Sequence, residues 1–172
     1  MVNPTAELAW WIEGTQQQYR ITADVYLVPN PEHPLCSQFE HALSHSQDGT
    51  GLALFRDDDW ESQRLQMFKS RSAHMKASWC RPVPGSPLKG GQEEAKNWPE
   101  IVEDPSEHEG LPNEKYNELL RNWQQALANF ALVVIDPIEV DLVEMGVVPN
   151  RRTRFFKAPE NHELWREEEL VP

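Results

Sequence analysis

The fold prediction rests on the stretch AELAWWIEGTQQQYRITADVYLV, residues 6–28. Its second half alternates strictly, since one set of positions (Tyr19, Ile21, Ala23, Val25 and Leu27) is apolar or aromatic and the intervening set (Arg20, Thr22, Asp24 and Tyr26) is more polar. A period of two is typical of a strand that buries one face. Gly14, in the segment Glu13–Thr15, supplies a turn signal before it. The stretch therefore predicts an antiparallel hairpin.

Three later segments extend the β prediction. They are ALVVI (131–135), VDLVEM (140–145) and RRTRFFK (151–157), and LWREEELVP (164–172) closes the chain. The first is predicted to end at Asp136–Pro137, because proline cannot donate a hydrogen bond to a strand ladder. The chain is therefore predicted to be mainly β with helices, an α+β domain built on a barrel or a curled sheet.

Two segments predict helices within this β framework. Residues 57–72 have an apolar stripe, and Asp58 or Asp59 is the predicted N-cap. The segment from Asn113, another predicted N-cap, to Phe130 has apolar residues at helical spacing. Residues 37–48 are weakly helical at best, and residues 51–55 suit a short strand or the start of a helix. Residues 84–112 are rich in Pro, Gly and Glu and predict an exposed, flexible loop in a single domain, 1–172.

The charge balance excludes several kinds of partner. The formal net charge of −12 disfavours binding to nucleic acid and to anionic membranes. No apolar run approaches the roughly 20 residues that span a bilayer, and no secretory signal is recognisable. The two cysteines, Cys36 and Cys80, have no metal or redox spacing, which indicates reduced thiols in a cytoplasmic or nuclear protein.

A cationic strip near the C-terminus stands out in this acidic chain. In PNRRTRFF, residues 149–156, a strand would point Arg152 and Arg154 to one face and Arg151 to the other. Two guanidinium groups on one face could clamp a phosphate or a carboxylate. The alternative, which the composition favours, is that they pair with acidic side chains at the surface.

Three other patterns contain residue types that are common in binding or catalytic sites. Residues 72–87, SAHMKASWCRPVPGSP, suit either a ligand-wrapping loop or a surface turn anchored by Trp79, and composition favours the turn. His41 and His45 have the spacing of two zinc ligands on a helix, but no second ligand pair accompanies them, so no metal site is predicted. His74 and Cys80 have no third orienting group, which argues against a hydrolase triad.

Four stretches together resemble the pyridoxamine 5'-phosphate oxidase-like family of FMN-binding split barrels. They are AELAWWIEGTQQQYRI, SRSAHMKASWCRPVPGSP, FALVVIDPIEVDLVEMG, and PNRRTRFF with the terminal LWREEELVP. They occur in the family's order over most of the chain. The resemblance implies a split β-barrel that is incomplete at its N-terminus and a homodimer that holds one FMN in each cleft between subunits.

The resemblance also implies three cofactor-binding residues. Gln18 matches the glutamine before the family's aromatic–Arg pair, and Ser86 lies in the loop after Trp79 that touches the cofactor. Arg154 matches the last arginine of the basic strand, which reaches the flavin ring. A cation there would favour the reduced flavin, which carries negative charge.

Departures from the family pattern limit the predicted chemistry. Asn150 and Arg152 stand where the family's oxidases have the Arg-x-His pair that grips pyridoxal phosphate, so vitamin B6 oxidation is not expected. The resemblance also implies that the strands that hold the FMN phosphate would precede Met1, so that the chain would be a shortened form or an incomplete gene model. Two functions stay open: a flavin-dependent oxidoreductase of unknown small-molecule substrate, and a non-catalytic remnant that acts in dimerisation or binding.

Overall fold

A computed structural model describes residues 5–108, 110–158 and 161–172. Its internal contacts divide the chain into two compact units. The first comprises the described residues of Met1–Leu27, Ser37–Asp58 and Val133–Pro172, and the second comprises Val28–Cys36 and Asp59–Leu132, again with the described residues alone. The prediction of a single domain stays a prediction.

The first unit is built on a five-stranded sheet. Its strands are β1 (Thr5–Ile12), β2 (Gln17–Val28), β3 (Leu132–Glu144), β4 (Arg151–Ala158) and β5 (Asn161–Leu170). They lie in the order β1-β2-β3-β4-β5, and the registers between β1 and β2, β3 and β4, and β4 and β5 are antiparallel. Strands β1 and β5 form the two edges in the described part of the chain, so the sheet is open. The α+β prediction is confirmed, whereas a split barrel stays a prediction.

The predicted hairpin is confirmed. Strand β1 pairs with β2 from Thr5 opposite Asp24 to Ile12 opposite Gln17, and the chain turns between them through Gln16 at a φ of 52°. The predicted buried face is confirmed at Ala23, which is fully buried, and is wrong at Leu27, which is 44% exposed. At this end of β2 the other face is the buried one, since the neighbouring Val28 is 4% exposed.

The predicted break at Asp136–Pro137 is wrong, because β3 runs through both residues as one strand. The paired register of β3 with β4 begins at Glu139 opposite Phe156. Pro137 lies before that point, so its missing N–H costs no hydrogen bond in the ladder to β4. ALVVI and VDLVEM therefore belong to the same strand.

The connections of the first unit contain short helices. Residues predicted as weakly helical form helix α1 (Cys36–Ser44), and residues 51–55 form a 3-10 helix, Leu52–Phe55, rather than a strand. Gly51 precedes the 3-10 helix with a φ of −59°, which is ordinary helical backbone. This glycine lies close to Asp136 of β3.

The second unit is helical. It contains α2 (Trp60–Lys69), α3 (Ala73–Ser78), α4 (Gly91–Ala95), a 3-10 helix (Pro105–Glu107) and α5 (Asn113–Asn129). Asp59 caps α2, as predicted, by accepting a hydrogen bond from the backbone N–H of Ser62 at 3.0 Å. This bond is the main reason that the pKa of Asp59 lies below its usual value. The predicted cap at Asn113 is wrong, because Pro112 occupies the N-cap and Asn113 begins the helix.

An aromatic core holds the second unit together. The rings of Phe68, Trp79, Trp123 and Phe130 pack at centroid distances of 4.8–5.8 Å. The predicted helical stripe of α5 supplies Trp123, and the core extends to Cys80 and Ala126. The predicted flexible loop, residues 84–112, includes α4 and a 3-10 helix.

Among all described residues, no helix combines the length and apolar character needed to cross a bilayer.

Candidate functional site

The cationic strip forms strand β4, and its arginines are paired with acids on the neighbouring strands. Arg152 makes a two-point ion pair with Asp141 of β3, with Nε 3.0 Å from Oδ1 and Nη2 2.7 Å from Oδ2. The hydrogen bond from this guanidinium, and then the charge of Asp141, raise the pKa of Arg152. Arg152 is therefore committed to a carboxylate of its own chain.

Arg154 keeps more of its binding capacity. Its Nη2 lies 3.1 Å from Glu139 Oε2 and its Nη1 lies 3.9 Å from Glu168 Oε2. The guanidinium also lies 4.8 Å from the centroid of the Phe156 ring. Its Nε is buried and has no hydrogen-bond partner among the described residues. The surface-pairing interpretation of the strip is confirmed for Arg152 and Arg154, and Arg154 Nε remains as an unsatisfied donor.

Gln18 lies in the same sheet as Arg154. It is half-buried on β2, opposite Trp11 of β1. The start of β2 is tied to the end of β3, since the backbone N–H of Met145 donates to Gln16 O at 2.9 Å and Gln17 Nε2 donates to Glu144 Oε1 at 3.2 Å. Strands β2 and β4 both neighbour β3. Two of the three predicted flavin contacts therefore lie in one sheet, on strands that are separated by β3.

Ser86 belongs to the second unit and is exposed. Its backbone N–H donates to Val83 O at 3.1 Å across a turn with Pro84 and Gly85 in the middle, and Gly85 has a φ of 81°. This is the pattern of a type II turn, which requires glycine at that position. The turn lines a cavity of about 540 Å³ together with Trp79. Trp79 packs against the aromatic core and so anchors this turn as predicted, whereas residues 73–78 of the same stretch form α3.

The histidine and cysteine patterns make local contacts. The rings of His41 and His45 stack at 4.0 Å, and His45 Nδ1 lies 2.9 Å from His41 O. Among the described residues, no group of three or more His, Cys, Asp or Glu is placed to hold a metal ion. Cys80 is buried, its Sγ lies 3.2 Å from Asn122 O, and burial raises the pKa of its thiol. A thiol with a raised pKa is a poor nucleophile at neutral pH.

A buried ion pair, which the sequence did not reveal, joins β3 to β4. Lys157 Nζ lies 3.0 Å from Asp136 Oδ1, and the two side chains are 8% and 7% exposed. Asp136 Oδ2 also accepts a hydrogen bond from the backbone N–H of Leu52 at 3.1 Å. The sequence contains one signal of this pair, because strand alternation points Lys157 to the sheet face opposite Arg152 and Arg154. The sequence does not indicate the partner, because the Asp136–Pro137 pair predicts a break in the strand.

Gly51 is required by this buried pair. A Cβ added at Gly51 would lie 2.5 Å from Asp136 Oδ1. We therefore expect Gly51→Ala to lower the free energy of unfolding by about 1–3 kcal/mol, since a packed group must shift. Gly14→Ala is the matched control, because a Cβ at Gly14 meets nothing within 4 Å. Urea denaturation of both variants checks this, and equal stabilities would contradict it.

Two cavities adjoin the ion pair of Asp136 and Lys157, and both residues line each of them. One, of about 430 Å³, has mostly apolar walls that include Leu54 and Trp165. The other, of about 350 Å³, includes Asp24 and Tyr26. Burial first, and then the charges of Asp24 and Asp136, raise the pKa of Tyr26.

Comparison with solved structures finds a similar fold in an FMN-binding protein. The crystal structure of a pyridoxamine 5'-phosphate oxidase-related, FMN-binding protein from Nostoc punctiforme is similar, with a TM-score of 0.55 and 20% sequence identity. The match covers 98% of this chain and 63% of the Nostoc chain. The resemblance found in the sequence is thereby confirmed at the level of the fold.

A second solved structure is similar at a lower level. PhzG from Burkholderia lata, in complex with tetrahydrophenazine-1-carboxylic acid, has a TM-score of 0.47 and 12% identity over 98% of this chain and 59% of its own. No protein-family model matches the chain, and no curated protein matches it in sequence.

Proposed function

We propose that this chain is a flavoprotein of the pyridoxamine 5'-phosphate oxidase-like type, which binds FMN and acts as an oxidoreductase on a small molecule. The observation that carries the proposal is the unsatisfied Nε donor of Arg154 on β4, in a chain whose fold is that of an FMN-binding protein. A buried donor without a partner is costly, which favours an acceptor from a ligand at that position.

The roles of the residues follow from their chemistry. Arg154 would hold the flavin ring with a cation and a hydrogen-bond donor, and Gln18 would add an amide donor and acceptor. The Gln18 side chain makes no hydrogen bond within the described residues, so its amide is available. Ser86 stays a predicted contact that rests on the family resemblance alone. FMN would supply the redox chemistry, and the chain would supply placement and electrostatics.

The fit to FMN is better for the ring than for the phosphate. A phosphate is usually held by several charge-assisted hydrogen bonds, each worth roughly 1.5–3 kcal/mol. Arg152 is already engaged by Asp141, so a phosphate would have to compete with that carboxylate. We therefore propose that the complete site forms in a homodimer, with one FMN in each cleft. We also propose that the protein acts in the cytoplasm.

We expect Arg154→Ala to lower flavin retention about tenfold or more, since a charged hydrogen bond is worth roughly 1.5–3 kcal/mol. Arg151→Ala is the matched control, because Arg151 is exposed and strand alternation points it to the opposite face. Protein reconstituted with FMN is passed through gel filtration, and bound flavin is measured by absorbance. Equal retention in the two variants would contradict the assigned role of Arg154.

The ion pairs of β4 favour one alternative, a non-catalytic binding or dimerisation module. Carboxylates already compensate both Arg152 and Arg154, as they would in a protein without an anionic ligand. Reconstitution of the wild-type chain separates the two functions. A yellow dimer of about twice 19.9 kDa with one flavin per chain supports the flavoprotein, and a colourless dimer supports the alternative.

A further inference from the structure

The buried pair of Asp136 and Lys157 lies on the sheet face opposite to the proposed flavin contact. Side chains alternate along β4, so Lys157 and Arg154 point to opposite faces. The contacts agree, because Arg154 meets Glu139 whereas Lys157 meets Asp136 and the ring of Trp165, 5.9 Å away. Whatever Lys157 binds is therefore separate from the proposed flavin site.

The two members of the ion pair differ in how many of their hydrogen-bonding groups have a partner. Both oxygens of Asp136 have partners, since Oδ1 meets Lys157 Nζ and Oδ2 accepts from Leu52 N. The Lys157 ammonium has three N–H donors, and among the described side chains Asp136 is the acceptor within hydrogen-bond distance. Lys157 is 8% exposed, so its remaining donors have little contact with bulk water. A buried ammonium in this state favours a further acceptor.

The surroundings of Lys157 favour one of its two cavities for an anion. The cavity of about 350 Å³ adds Asp24 to Asp136, so it would repel negative charge. The cavity of about 430 Å³ contains no carboxylate besides Asp136 among its described lining residues. Its walls include Leu54 and Trp165, which are 78% and 41% exposed and offer apolar surface next to the cation.

We propose that the cavity lined by Leu54, Lys157 and Trp165 binds a small carboxylate with an apolar body. The carboxylate would accept hydrogen bonds from the Lys157 ammonium, and the body would cover Leu54 and the Trp165 ring. The volume of about 430 Å³ is ample for a single-ring acid and lies in the range of ligand pockets. Asp136 partly offsets the charge of Lys157, so we expect weak binding, with a Kd of about 1 mM.

Benzoate is the probe, and its neutral isostere benzamide tests the need for charge. The full-length wild-type chain is titrated with each compound at low salt, and the indole N–H signal of Trp165, assigned from the spectrum of Trp165→Phe, is followed by NMR. We expect a saturable shift with benzoate and about tenfold weaker binding of benzamide, because benzamide lacks the charge that Lys157 attracts. No saturable shift with benzoate, or equal affinity for benzamide, would overturn the proposal.

Two substitutions are expected to change the affinity in opposite directions. Leu54→Glu places a carboxylate at the exposed rim and should weaken benzoate binding about fivefold or more, whereas Asp136→Asn removes the competing charge and should strengthen it by a similar factor. Val148→Glu is the control, because Val148 is fully exposed and does not line the cavity. Affinity unchanged in both test variants, or lowered equally by Leu54→Glu and Val148→Glu, would overturn the proposal. The readout needs no flavin, so failure of FMN binding does not affect it.

Discussion

Lys157→Met is expected to lower the free energy of unfolding by about 3–5 kcal/mol, the largest effect that we predict for a single substitution. Methionine keeps the length of the side chain and removes its charge. The Asp136 carboxylate, 7% exposed, would then lose its counter-charge in a site that water hardly reaches. A lone buried carboxylate is far less stable than a paired one, since its desolvation is no longer offset.

The matched control is Arg151→Met, which removes a cation from an exposed position of the same strand. We expect a change within about 0.5 kcal/mol for this variant. Urea denaturation, followed by circular dichroism, measures both. Adding Asp136→Asn to Lys157→Met should recover part of the loss, because the unpaired charge disappears. Equal effects of Lys157→Met and Arg151→Met would mean that the ion pair does not stabilise the sheet.

Arg64→Leu is expected to lower the free energy of unfolding of the helical unit by about 2–5 kcal/mol. Arg64 is 1% exposed, and its Nη1 donates to the carbonyl oxygens of Leu127 and Phe130, each at 2.8 Å. These carbonyls lie at the C-terminal end of α5, where helix carbonyl groups lack partners within the helix. Leucine would leave Phe130 O without its donor, at about 1–3 kcal/mol, and would remove one of the two donors of Leu127 O, which also accepts from the backbone N–H of Phe130 at 3.3 Å.

Glu61 also binds Arg64, and its exposure decides how the effect of Arg64→Leu is interpreted. It holds the other side of the guanidinium, with Oε2 2.7 Å from Nε and Oε1 2.9 Å from Nη2. Because Glu61 is 46% exposed, its carboxylate can return to water, so the expected loss comes mainly from the two carbonyls. Arg81→Leu, at an exposed arginine of the same unit, is the control. If fluorescence-monitored unfolding, with Trp123 in the core as a reporter, shows equal midpoints for Arg64→Leu and Arg81→Leu, the carbonyl contacts do not stabilise α5.

Local patterns explain the parts of the fold that the sequence predicted. The alternation in residues 16–28 and the turn before it define the first hairpin, because strand period and turn chemistry depend only on neighbouring residues. Asp59 was found for the same reason, since a capping carboxylate acts on an N–H three residues away. Asn113 was misassigned because asparagine and Pro112 both suit a helix start, and local preference alone does not separate them.

The candidate site also combines features that local sequence patterns predict and features that depend on strand register. Strand spacing placed Arg152 and Arg154 on one face, and the surplus of acidic residues indicated that they would find partners. Which acids they meet depends on the register of β4 against β3 and β5, and short-range periodicity does not fix that register. The prediction of Gln18, Ser86 and Arg154 as flavin contacts came from family resemblance and stays a prediction.

The sequence by itself determined the hairpin, the basic strand, the capped helix and the amphipathic α5, since each depends on residues within a few positions of one another. Only the tertiary structure decided that β3 continues through Pro137 and that Asp136 lies buried against Lys157. It also decided that Gly51 has no room for a side chain. Asp136 and Lys157 are 21 residues apart and meet because β3 lies beside β4, whereas Gly51, which precedes the 3-10 helix, reaches Asp136 through tertiary packing. Burial then makes their charges and contacts matter, because water no longer screens them.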